Sequence, residues 1–345
     1  MCRISRWQWL FAMGVVAVLG WALAFPGHPL AAQEAPESGG NEEAVGYLLA
    51  HGANLDSLRC YDLMLWSEVT RFHADPPSIS RGFRRIIADH DRERFLLLLD
   101  GSYQTLVDDS EKRVHRRGTQ GFYVDGLARE KWVSSERRKA HRVEVVPTEG
   151  WSFTGSALRQ TGLSDPRFLG LADYPTSYEP SQSMREVIRV NLGHAVDVST
   201  RPGVEGRVLI TTEYKDSEVV SSRYTREFDT ERLVPVSLAF EFGNRGDFRR
   251  TKREAIRWED QEGHQVPVEV QGEWLRHYPR TGTDMLPENY ELTLRWQSIN
   301  DPEALTALSS ETLADPERVE ALLREVRQAL GGDPESPSPE EATRR

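Results

Sequence analysis

The amino-acid sequence predicts a mainly β protein with flanking helices, an α+β fold built on a strongly curved antiparallel sheet. Two observations predict it. The segments RVLITTEY, VVSSRYTREFD, LVPVSLAFEFG, DFRRTKREAIRWED, VPVEVQGEWLRHY and YELTLRWQSIN are rich in β-branched and aromatic residues. They are separated by short turn-formers such as Asp229-Thr230-Glu231-Arg232 and Asp260-Gln261-Glu262-Gly263, and strands joined so tightly pair with their sequence neighbours in antiparallel order. The second observation is a meander of shorter strand candidates over residues 58–146, with helical spacing confined to the two flanks and one stretch in the middle.

Taken in order, residues 1–32 have the layout of an export signal. Arg3 and Arg6 precede the apolar run 7–25, followed by the Pro26-Gly27 break and the small pair Ala31-Ala32, after which cleavage is expected. The run is also about as long as the roughly 20 residues of a membrane-spanning helix, so an uncleaved anchor is the alternative. Either way the two arginines stay on the cytoplasmic side and residues 33–345 lie outside the cytoplasm. Cys2 precedes the apolar run, where a lipoprotein signal would place its cysteine after it. Cys60 is then alone, which excludes an internal disulfide or a thiolate metal cluster, and within LRCYDLMLW it reads as a buried, inert thiol.

Residues 33–43 are polar, contain Gly and Pro, and read as a flexible linker to a single domain over 44–330. In EEAVGYLLAHG, Ala44, Val45, Leu48 and Leu49 recur at helical spacing and Gly52 can end the helix. From Leu58 the period changes to two, with Tyr61, Leu63, Leu65 and Val69 sharing a face. Strands are expected at 81–88, 94–100, 120–124, 131–134 and 141–146, and FLLLLDG asks for burial on both faces or a lined interior. Residues 147–182 have no sustained period and read as an irregular insertion, a lid or a junction. A helix over 183–192 presents Met184, Val187 and Ile188 on one side. At the end, Asp315 caps and Pro316 starts a helix with Val319, Leu322, Leu323, Val326 and Leu330 on one stripe, stopping at Gly331-Gly332 and leaving 331–345 as a disordered tail.

The formal net charge is −11, and loss of Arg3 and Arg6 with the leader makes the chain more acidic still. That balance argues against nucleic acid, whose phosphates require clustered basic residues; the basic stretches at 112–117, 137–139 and 249–253 are interleaved with acids and read as solvated sheet faces. The sequence contains no H-E-x-x-H, no paired C-x-x-C, no G-x-S-x-G and no phosphate-binding glycine loop. No catalytic residue, metal or cofactor is therefore expected, although two carboxylates of a hydrolase could still meet in space. Trp66, Trp132, Trp151, Trp258, Trp274 and Trp296 either fill a core or line an apolar cavity.

The running order of export signal, short helix, YDLMLWSEVTRF, the hairpin RGFRRIIADHDRERFLLLLDG, a helix-bearing middle, EFDTERLVPVSLAFEFG and WQSIND resembles the periplasmic lipoprotein-carrier (LolA-like) superfamily over about residues 42–300. The resemblance implies an incomplete β-barrel closed by helices around an apolar cavity for acyl chains, with no enzymatic step; relatives include a two-domain periplasmic regulator of envelope stress. This chain departs from the small carrier in its length and in the insertion 147–182, which puts direct lipoprotein shuttling in doubt. Candidates for an apolar lining are Leu63, Leu65, Trp66, Phe95, Leu97, Trp258, Trp274 and Trp296. The function expected is an extracytoplasmic carrier or sensor of a lipid or another apolar ligand. The alternative is an envelope structural, interaction or regulatory protein with a filled core that binds another protein. Membrane contact is expected only transiently or through an uncleaved anchor.

Overall fold

The computed structural model describes residues 42–72, 78–106, 112–125, 128–135, 140–145, 166–171, 183–215, 220–244, 247–278 and 283–331. The expected signal 1–32, most of the linker 33–43, the tail from 332 and most of the insertion 147–182 lie outside them, as do Trp151 and the side chain of Trp132. Among the described residues, thirteen strands form one antiparallel sheet. They are β1 (Cys60–Arg71), β2 (Ser78–Asp89), β3 (Arg94–Leu106), β4 (Lys112–Asp125), β5 (Ala128–Ser135), β6 (Ala140–Val145), β7 (Ala195–Pro202), β8 (Arg207–Lys215), β9 (Val220–Asp229), β10 (Val234–Asn244), β11 (Asp247–Gln261), β12 (His264–Tyr278) and β13 (Thr283–Ile299). The helices are α1 (Glu42–Asp56), α2 (Met184–Gly193), α3 (Ser310–Ala314) and α4 (Pro316–Ala329), with a 3-10 turn at Pro166–Phe168.

The strand order is β6-β5-β4-β3-β2-β1-β13-β12-β11-β10-β9-β8-β7. Every strand but two pairs with its sequence neighbours, and the first strand pairs with the last, from Tyr61 opposite Ile299 to Arg71 opposite Glu288. The sheet is therefore an up-and-down barrel cut open between β6 and β7, and the chain leaves it there through residues 146–194.

The alternation expected from period two sorts the side chains by face. Tyr61, Leu63 and Leu65 of β1, Ile86 and Ala88 of β2, and Phe95 and Leu97 of β3 join Ile210, Phe228, Val234, Ile256, Trp258, Val270, Leu294 and Trp296 in one core on the inner face. Cys60, Ile87, Leu96 and Leu98 point the other way and meet Leu313, Val319, Leu322 and Leu323 of α3 and α4. The FLLLLD segment is thus buried on both faces, as its continuous apolar run requires. Cys60 is buried, and desolvation raises its thiol pKa.

Curvature has a repeated local cause. Register shifts occur at Pro235/Ser237 between β9 and β10 and at Arg257/Trp258 between β11 and β12, and such bulges increase twist and bend a strand. A Pro carbonyl at each site is taken up by an indole: Trp258 Nε1 donates to Pro235 O at 2.7 Å and Trp296 Nε1 to Pro267 O at 2.8 Å. The sequence carries this device twice, as Val234-Pro235-Val236 with Arg257-Trp258 and as Val266-Pro267-Val268 with Arg295-Trp296.

Three expectations need correction. α1 runs past Gly52 to Asp56; Gly52 allows close helix approach, since a Cβ there would lie 2.8 Å from Ile188 Cδ1 of α2. β7 was not foreseen, because as an edge strand it is mostly exposed on both sides and lacks apolar alternation. Strand β4 begins at Lys112, well before the expected residue 120.

α4 starts as expected, with Asp315 accepting from the backbone N–H groups of Glu317 and Arg318, and ends before Gly331 at φ +72°. It is tied to the outer face by Arg85, which forks onto buried Asp62 at 2.7 and 3.0 Å and also reaches Glu325. Leu323→Ala removes a fully buried side chain from this contact and should cost about 2–5 kcal/mol in urea unfolding. A loss below roughly 0.5 kcal/mol, the size of an ordinary surface substitution, would show that α4 does not dock as described.

Candidate functional site

The inner face is covered by chain that does not belong to the sheet. α1 places Ala44, Leu48, His51 and Leu55 on one stripe, all buried. His51 lies edge-on to Trp258 and Phe228, with centroids 5.2 and 6.1 Å away. Polar contacts anchor the helix end: Asn54 pairs with the backbone of Gln265 in both directions at 2.8 and 3.1 Å, and Asp56 accepts from Ser183 Oγ at 2.7 Å and from the first N–H groups of α2. An acidic cap at a helix N-terminus suits the helix dipole, so α1 and α2 are held as a pair.

The second cover is the segment 166–171. Leu169 and Leu171 are buried in the inner core. Between them Gly170 has φ +78°, and a Cβ there would come 2.5 Å from Pro235 Cγ and 2.9 Å from Ile256 Cδ1, so only glycine lets the segment sit this close to β10 and β11. Arg226 of β9 holds it: Nε donates to the carbonyl of Leu171 at 2.6 Å and Nη2 donates to the same oxygen, while Nη1 donates to Thr212 Oγ1 at 2.8 Å.

Arg226 is 3% exposed, and its partners are a carbonyl, a hydroxyl and the Tyr224 ring 5.3 Å away. No carboxylate among the described residues pairs with it. Burial lowers its pKa below the ordinary guanidinium value. His51 is fully buried with no hydrogen-bond partner on either ring nitrogen, and desolvation together with the nearby Arg226 charge lowers its pKa from 6.5 to about 3.

Beyond Arg226 the inner face becomes more aromatic and less covered. Tyr224 stacks on Phe240 at 4.7 Å. The Tyr290 ring crosses Gly272, where a Cβ would sit 2.1 Å from its Cζ, and its hydroxyl donates to Glu254, which also pairs with Lys252 at 3.0 Å. Past these, Phe242 and Trp274 are 41% and 40% exposed. The opposite face of β7–β11 differs. Its open groove of about 500 Å³ is lined by Glu213, Arg223 and Glu241 among others, with Arg223 paired to Glu213 at 3.2 Å and to Glu241 at 3.7 Å.

Of the eight candidate lining residues, Leu63, Leu65, Phe95, Leu97, Trp258 and Trp296 share the inner core and are at most 7% exposed. Trp274 lies at the less covered end of the same face. Trp66 does not join them: one residue beyond Leu65, with β1 in regular register against β2, it points to the outer face. Arg226, His51 and Leu171 were not among the candidates. Their signals were present, since Tyr224, Arg226 and Phe228 alternate on one strand face and His51 shares a helical stripe with Leu48 and Leu55. No group of three or more His, Cys, Asp or Glu able to hold a metal occurs among the described residues, and no helix there is long and apolar enough to cross a membrane.

No family model and no curated protein matches the chain. Solved structures similar to it include a domain described as an outer membrane lipoprotein-sorting protein from Vibrio parahaemolyticus, at 12% identity over 79% of this chain and 99% of that one, with a TM-score of 0.37. A DUF1329 family protein from Desulfovibrio piger is 12% identical over 79% of this chain and 98% of its own, with a TM-score of 0.39. A beta-barrel-like DUF1849 protein from Brucella abortus is 10% identical over 71% and 100%, at 0.26. At these TM-scores the likenesses give no residue of this chain a role.

The buried imidazole makes stability depend on pH. The unfolded chain takes up this proton near pH 6.5 and the folded one only near 3. Between those values the unfolded state holds one more proton, so His51 makes stability fall as pH drops through the window, by up to about 1.4 kcal/mol per unit. His51→Leu should remove that contribution and leave stability at pH 7 equal or higher, because no hydrogen bond is lost. Urea unfolding between pH 7 and 4 checks this; equal pH slopes for the variant and the parent would refute it.

Proposed function

We propose that the protein is an exported, non-enzymatic binding protein that holds a lipid or another apolar ligand on the inner face of its half-barrel, under α1 and the segment 166–171. The observation that carries this reading is the nature of the cover. The inner face carries a large apolar cluster, and part of what closes it is a short segment resting on two leucines and one arginine.

Magnitudes favour exchange. Burial of Leu169 and Leu171 contributes about 1.5–3 kcal/mol each, and the charged hydrogen bond about as much again. A chain of twelve or more methylenes gains roughly 0.8 kcal/mol for each one buried, so an acyl chain outweighs the segment it would displace. Phe242 and Trp274, exposed at the less covered end, supply an apolar approach.

The filled packing of Leu63, Leu65, Phe95, Leu97, Trp258 and Trp296, with both indole N–H groups satisfied internally, favours a second reading, an envelope protein whose core is solid and whose partner is another protein. Export, detergent-free purification and comparison of native with denaturing mass spectrometry separate the two. The binding reading expects a stoichiometric lipid released on denaturation. A ligand-free protein that captures one specific envelope partner would support the second reading instead.

A further inference from the structure

We infer that the ligand is an acyl chain carrying an anionic head group, and that Arg226 receives this head group inside the half-barrel in exchange for the carbonyl of Leu171. The inference rests on the binding reading above and narrows it to a ligand class. Arg226 sits on the inner face opposite Ile210 on β8 and Leu238 on β10, both buried apolar residues. A guanidinium buried in such surroundings normally has a carboxylate partner, because removing its charge from water costs several kcal/mol. Arg85 on the outer face follows that rule with Asp62 and Glu325. Arg226 has neutral oxygens instead.

His51 makes the same point independently. It is fully buried in the region of Arg226 and uses neither ring nitrogen. Arg226 offers N–H donors beside the Thr212 hydroxyl, which suits a carboxylate or a phosphate, and the Glu254 carboxylate of the same face, two strands away across Leu238, is taken up by Lys252 and Tyr290. An ionic acceptor binds a guanidinium about twice as strongly as a neutral one, so the exchange is favourable at Arg226 itself. It also frees the backbone of Leu171, which couples arrival of the head group to release of the segment 166–171. The chain would run from Arg226 past Tyr224 and Phe240 towards Phe242 and Trp274, with the head group inside and the tail towards the less covered end.

The test compares dodecanoate, dodecyl phosphate and methyl dodecanoate, one chain length with and without charge, by calorimetric titration of the whole exported protein. The parent should bind at least one of the two anions about 10- to 100-fold more tightly than the ester, the ratio a charged hydrogen bond supports. Arg226→Met should abolish the preference for anion over ester, and Arg226→Lys should retain part of it. A preference for dodecanoate assigns the site to free fatty acids, and one for dodecyl phosphate to phosphate-headed lipids. Equal affinity of the parent for ester and anions would overturn the head-group assignment and leave apolar binding intact. Failure of all three probes to bind would overturn both. Should Arg226→Met not fold, the parent comparison and Arg226→Lys decide the question.

Discussion

Pairing of the first strand with the last is the constraint on which the rest of the structure depends. β1 and β13 run together from Tyr61 and Ile299 to Arg71 and Glu288, joining the two meanders into one sheet. Because that junction uses both ends of the sheet-forming chain, the opening falls in the middle, between β6 and β7. The residues that connect these edges supply α2 and the segment 166–171, so topology delivers part of the cover to the face that needs one. α1, immediately before β1, arrives on the same face from the other direction and is held to α2 through Asp56.

Charged groups on both faces of the sheet come in pairs, on the inner face Glu254 with Lys252, and Arg226 departs from that pattern. On the outer face charges come with partners, Arg85 with Asp62 and Glu325, Arg327 with Asp100, Arg223 with Glu213 and Glu241. On the inner face Arg226 is buried against a carbonyl and a hydroxyl, and His51 against nothing polar. Burying a guanidinium and an imidazole this way lowers stability relative to a purely apolar core. Under the proposed reading this arrangement gives the cover a contact that an anion replaces, which an apolar core would not offer.

Much of the fold was legible in the sequence because the physics is local. β8 to β13 stand out through β-branched and aromatic alternation between tight turns, and the faces of Tyr61, Leu63 and Leu65 follow from period two. The inner and outer burial of FLLLLD follows from an uninterrupted apolar run. What escaped lacks an apolar signal. β7 reads Ala195 to Pro202 with little burial, and the first half of β4 is basic. The site was legible only in its apolar part. Leu63, Leu65, Phe95, Leu97, Trp258 and Trp296 were found as hydrophobic residues on predicted elements. Trp66 was placed with them as a large apolar residue, although the period of two that puts Leu63 and Leu65 on one face puts Trp66 on the other. Arg226 and His51 were passed over because charged and titratable residues are ordinarily solvated, although their parity and helical spacing put both on buried faces.

The central claim is that the segment 166–171 is a replaceable cover over the inner face, and amide hydrogen exchange measures this most directly. Backbone amides at Leu169, Gly170 and Leu171 should be protected in the ligand-free protein and lose protection when an acyl ligand saturates it, while those of β1 and β13 stay protected. Saturation that leaves the exchange of these three amides unchanged would contradict the account, because the ligand would then be bound somewhere this segment does not close.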